Sequence, residues 1–156
     1  MTDKLNQYQT LLQGLTAALE GETDEIAVLA TVACEVFHAF DAFHWVGFYR
    51  VTADELLTVG PYQGGHGCLR IPFSKGVCGA AARTQTTQNI ADVNAIAEHI
   101  ACSSSTQSEL VVPLFDGNGK VVAVFDIDSD HLNQFDEVDE TQIQAICNLV
   151  ENTVYG

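Results

Sequence analysis

An α+β fold, with helices covering an antiparallel sheet, is what this 156-residue sequence predicts. Three observations carry it. Apolar residues recur at helical spacing near both ends of the chain. Runs of β-branched and aromatic residues fill the middle. Asp116-Gly117-Asn118-Gly119 joins two of those runs as a tight hairpin turn, where positive φ favours Asn, Asp and Gly. The order helices, sheet, helix gives a layered architecture with the sheet against helices. The length suits one compact domain, so residues 1–156 are read as a single unit, with helices at about 3–20, 24–39 and 136–154.

Each element has a local reason. Leu5, Tyr8, Leu11, Leu12, Leu15 and Leu19 form a first helical stripe that Gly21 stops. Thr23, Asp24 and Glu25 read as an N-cap and first turn, followed by the apolar face Ile26, Leu29, Ala30, Ala33, Phe37 and Phe40. The segment FHWVGFYRV (43–51) reads as a strand. Strict alternation puts Phe43, Trp45, Gly47 and Tyr49 on one face and His44, Val46 and Phe48 on the other. LLTVGPY (56–62) reads as a second strand. Residues 62–108 then read as a long, mostly irregular excursion, with a short small-residue helix from Gly76. Loops of that length inside compact domains usually carry function. ELVVPLF (109–115) and KVVAVFDID (120–128) are the hairpin arms, and Val138, Ile143, Ile146, Val150 and Val154 mark the final helix.

Composition narrows the function classes. With 47% hydrophobic residues the chain has material for a core. Six Lys and Arg against 21 Asp and Glu leave a net charge of −15. A field of that sign repels phosphate backbones and anionic lipid heads, so neither nucleic acid nor membrane is an expected partner. The polar, periodic N-terminal stretch does not read as a signal peptide, and a cytoplasmic location is expected. Five cysteines in such a compartment are not a structural disulfide framework.

Those cysteines fall into two groups. Cys34 and Cys147 lie within amphipathic helical patterns and read as buried hydrophobes. Cys68, Cys78 and Cys102 lie in the excursion, among Gly and Ser that leave sulfur accessible. Cys78, in GVCG near a helix start, sits where the helix dipole favours thiolate. Zinc is the rival use, with His99, Cys102, Cys68 and Cys78 as ligands, but the close cysteine pairs of structural sites are missing. His66 and His131 read as surface residues.

The carboxylates point to one place. Asp126 and Asp128, two apart on a strand, share a face with Val122 and Val124. Counting outward from the hairpin turn brings Glu109 within one or two residues of Asp128 across the ladder. The three acids are either solvated surface charge or a functional mouth. A mouth of that kind binds a cation or ammonium group, or raises one carboxyl pKa so that it donates a proton. Trp45 and Tyr49 are either core packing or a box for a small apolar or cationic group.

Taken together, HWVGFYRV, VGPYQGGHGCLRIPFSKGVCGAA, NIADV, HIACSSSTQSELVVPL and VFDIDS resemble the free methionine-(R)-sulfoxide reductases, which are stand-alone GAF domains. The resemblance spans about residues 40–140 and departs mildly at Tyr62, Ser103 and DVNAIAEH (92–99). It implies a GAF-like fold, a central six-stranded antiparallel sheet flanked by helices. It implies Cys102 as nucleophile, Cys68 as the cysteine that forms a disulfide with it, and Cys78 as an auxiliary thiol. Glu109, Asp126 and Asp128 would bind the substrate amine and protonate the sulfoxide oxygen, while Trp45 and Tyr49 enclose the methyl end. It further implies free methionine sulfoxide as substrate, thioredoxin as reductant, a homodimer, and no metal or cofactor. A non-catalytic GAF ligand sensor and a zinc-binding domain are the alternatives.

Overall fold

In the computed structural model, residues 2–96 and 105–156 are described. Two helices lead, α1 (Thr2–Ala18) and α2 (Glu25–Ala39), followed by β1 (Phe43–Ala53), β2 (Leu56–Gln63) and β3 (Arg70–Pro72). Then come α3 (Gly76–Thr84), β4 (Gln88–Ile90), a 3₁₀ turn (Val93–Ala95), β5 (Ser108–Phe115), β6 (Val121–Ser129) and α4 (Glu137–Val150). A π-helical turn, Glu151–Tyr155, extends α4. The six strands form one antiparallel sheet in the order β3-β2-β1-β6-β5-β4.

β1 and β6 lie at the centre of the sheet, where both of their faces are covered, and each carries a five-residue apolar run, Trp45–Tyr49 and Val121–Phe125. On one face α1, α2 and α4 cover Val46, Phe48, Leu110, Val112, Leu114, Ala123, Phe125 and Ile127. On the other, α3 and β2 supply Val77, Cys78, Ala81, Ala82 and Leu57 against Trp45, Tyr49, Val111 and Val124. The period-two alternation of β6 therefore sends Phe125 and Ile127 into the three-helix core and Asp126 and Asp128 to the α3 side.

Local chemistry sets the ends. Asp24, rather than Thr23, caps α2 by accepting from Ala27 N at 2.8 Å. Asp136 caps α4 in a capping box with Asp139. In the hairpin turn Asp116 Oδ1 accepts from Asn118 N and Lys120 N, and Gly119 takes φ 79°.

Two expectations change. Phe43 lies in the three-helix core with Val46 and Phe48, not beside Trp45. A register shift between Phe43 and Trp45 puts an extra residue, His44, in the strand, and a bulge of one residue flips every side chain before it. The excursion 62–108 is more ordered than its sequence reads, since it supplies β3, α3, β4 and the 3₁₀ turn. Each of its strands is three residues long, too short to show an alternation.

Candidate active site

The acids converge through strand register. Glu109 on β5 pairs with Asp128 on β6, and Asp128 pairs on its other side with Trp45 of β1. One row across three strands thus reads Trp45, Asp128, Glu109. The next reads Gly47, Asp126, Val111. All three carboxyls are buried, with Asp126 4% and Asp128 9% exposed. Asp126 Oδ1 and Asp128 Oδ1 have no hydrogen-bond partner among the described residues.

That placement changes their ionisation. Burial raises the Glu109 carboxyl well above the usual range, and the negative charge of Asp126 pushes it further. Burial likewise raises Asp126, with the charge of Asp128 beside it, and raises Asp128, with the charge of Glu109 beside it. Like charges packed this closely in a low dielectric resist ionising together, so the cluster retains a proton to higher pH than exposed carboxyls do. It therefore offers a carboxylic acid donor and a carboxylate acceptor side by side.

Cys78 closes the cluster from above. It sits on the first turn of α3, whose Gly79 packs so close that an added Cβ would meet Phe73 O at 2.7 Å and Pro72 O at 2.8 Å. The close approach buries Cys78 to 3% exposure. This corrects the expectation of an accessible thiolate there. Burial raises the Cys78 thiol well above its ordinary value, and the charges of Asp126, Glu109 and Asp128 add to it. Desolvation and three acids outweigh a helix dipole worth about 1 kcal/mol.

Aromatic rings wall the other side. Trp45 stacks on Tyr49 at 5.7 Å and on Tyr62 at 5.1 Å. Its Nε1 donates to Gly65 O at 2.8 Å. A Cβ on Gly47 would lie 2.3 Å from Tyr62 Cβ, so only glycine lets β2 bring that ring onto the indole. Tyr62 is a wall residue that the sequence reading did not select. Its signal was its place opposite Gly47 in the β1–β2 hairpin.

The other cysteines separate as follows. Cys147 is buried in the three-helix core, whereas Cys34 is half-buried, with Sγ 3.7 Å from His38 Nδ1, and not the core residue expected. Cys68 is half-buried and packs on the Trp45–Tyr49 cluster. Cys34, Cys78 and Cys147 are free thiols. Cys102 and His99 lie outside the described residues. Two of the four zinc ligands drawn from sequence thus fall outside the described residues, and His66 and His131 are exposed.

Comparison with known proteins fits this geometry. The GAF domain family profile matches residues 24–154. A Bacillus subtilis protein, YtsP, is 42% identical over 97% of this chain and 93% of its own length. The free methionine-R-sulfoxide reductase of Saccharomyces cerevisiae is 36% identical over 96% of this chain and 84% of its own. The X-ray structure of free methionine-R-sulfoxide reductase from Neisseria meningitidis in complex with its substrate superposes with a TM-score of 0.93. That pair is 41% identical over 98% of this chain and 91% of the other. The chain is thus a GAF-domain protein. Within that fold it belongs to the free methionine-R-sulfoxide reductases.

Proposed function

We propose that this protein reduces free methionine (R)-S-oxide to methionine, using Cys102 as nucleophile and Cys68 as resolving thiol. The row Trp45, Asp128, Glu109 supports this reading most directly, because it sets a proton donor and an anion beside an aromatic wall. A sulfoxide oxygen leaves poorly until it is protonated, and a neutral carboxyl in the cluster supplies that proton. An ionised neighbour holds the free amino acid's ammonium group, which a methionine inside a peptide lacks. Trp45 and Tyr49, with Tyr62 behind, take the methyl end.

The chemistry then balances in two steps. The Cys102 thiolate attacks the sulfur of the protonated sulfoxide; the hydroxyl then passes to the cysteine sulfur as the substrate S–O bond breaks, and the transient S–S bond breaks with its electron pair left on the substrate, giving a cysteine sulfenic acid and a thioether. The Cys68 thiol condenses with the sulfenic acid, forming a disulfide and releasing water. A dithiol of the thioredoxin class reduces that disulfide by exchange. Cys78, buried among the acids, serves as an auxiliary thiol and not as the first nucleophile. No cofactor enters the cycle. We place the enzyme in the cytoplasm, where such dithiols are kept reduced, and read it as a homodimer. The acidic surface disfavours nucleic acid, and among the described residues no helix is long and apolar enough to cross a membrane.

The test feeds racemic free methionine sulfoxide to the purified protein with a thioredoxin system and follows NADPH. Consumption that stops at the R epimer, and that Cys102→Ser abolishes, is the expected result. Binding without turnover would favour a ligand sensor, and turnover surviving in Cys102→Ser would overturn the assignment of the nucleophile.

A further inference from the structure

We propose that Cys78, Glu109 and Asp126, with Asp128 adjoining, form a site for Zn²⁺. One donor atom from each of the first three lies within 4.8 Å of the others, and all three residues are buried. A tetrahedral zinc with bonds of about 2.0–2.3 Å sets its ligands roughly 3.3–3.8 Å apart, so the cluster needs a contraction of at most about 1.5 Å. The donors come from three elements, α3, β5 and β6, that meet at this one point.

An acidic cluster alone says little. Here a second feature points to a cation. Asp126 Oδ1 and Asp128 Oδ1, on side chains more than nine-tenths buried, have no hydrogen-bond partner among the described residues. Buried carboxylate oxygens without partners are costly and are relieved by a cation in the pit. Within the described residues no Lys, Arg or His forms an ion pair with any of the three acids.

The donor set selects the metal. A thiolate among carboxylates disfavours Mg²⁺ and Ca²⁺, which take oxygen ligands, and suits zinc. Binding expels the Cys78 thiol proton and the proton shared among the acids, so affinity weakens as pH falls. Under the proposed function, the same carboxyls hold the substrate ammonium and donate its proton. Zinc and substrate then exclude one another, and zinc acts as a competitive inhibitor that also ties up Cys78.

Cobalt(II) is the probe, because a thiolate ligand gives it a near-ultraviolet charge-transfer band. Chelated, reduced protein is expected to bind one Co²⁺ per chain with that band. Cys78→Ser loses the band, while Cys68→Ser and Cys34→Ser keep it. Asp126→Asn, nearly isosteric and checked for fold by circular dichroism, weakens cobalt binding by about tenfold or more. A band that persists in Cys78→Ser, disappears in Cys68→Ser, or never forms overturns the site. Free methionine sulfoxide added to the Cys102→Ser protein is expected to displace cobalt. Failure of that step alone overturns the competition and leaves the metal site standing.

Discussion

Asp128 lies between two neighbours of opposite character. Burial raises its pKa and the charge of Glu109 adds to it, while apolar Trp45 pairs with it from β1. A residue in that position serves chemistry better than stability. Glu109→Gln and Asp128→Asn are each expected to lower turnover about 10²- to 10⁴-fold, the usual worth of a proton donor. The melting temperature at pH ~8 is expected to hold or rise, because each change removes a buried repulsion. Equal loss of rate and fold would instead mark the acids as scaffold. Gly47 has the reverse weighting. An added Cβ at 2.3 Å from Tyr62 Cβ and 2.7 Å from the Trp45 ring has nowhere to go. Gly47→Ala should destabilise by about 1–3 kcal/mol in urea unfolding, and it should raise KM by splaying the aromatic wall.

At the scale of elements, the β2–β3 connection is tied to β1 by the indole of Trp45. The Nε1–Gly65 hydrogen bond and the approach of Gly67, where a Cβ would lie 2.9 Å from Tyr49 Oη, pin the segment that carries Cys68. Trp45→Phe keeps a ring and removes the donor. It should cost about 1 kcal/mol, and in reduced protein it should speed alkylation of Cys68 more than that of Cys34. Helix α1 is held by a different device. Tyr8 Oη donates to buried Asp139 at 2.6 Å, and Lys4 Nζ reaches the other oxygen at 2.7 Å. Asp139 also closes the capping box of α4, so one carboxylate joins two helices. Tyr8→Phe should cost about 1–2 kcal/mol, and hydrogen exchange should rise first in α1.

For the whole molecule, pH dependence follows from the raised carboxyls. Glu109, Asp126 and Asp128 keep protons in the folded state that the unfolded chain loses near pH ~4. Their contribution is complete below that value and is lost as pH rises toward their folded values. Asp136 acts oppositely: burial pushes its carboxyl up, but the Asp139 backbone N–H, Lys4 and the Asp139 side chain together hold it below the usual range, and its contribution is lost as pH falls. Stability should therefore peak in mild acid, with a lower melting temperature at pH ~8.5 than at pH ~5.5. Self-repulsion from a net charge of −15 slopes the same way but is screened by salt. A slope that vanishes in high salt would assign it to the surface, whereas one that persists and is reduced in Asp128→Asn belongs to the buried cluster.

The sequence by itself determined whatever depends on near neighbours along the chain. The helical stripes, the Asp116–Gly119 turn, and the shared face of Asp126 and Asp128 follow from periods of 3.6 and 2 and from turn chemistry. Register counted from that turn then brings Glu109 to Asp128. Tertiary structure decided the rest. The bulge at His44 sends Phe43 into the opposite core, α3 seals Cys78 over the acids, and β2 lays Tyr62 on Trp45. Burial and pKa depend on which groups meet through space, and no period along the chain records that.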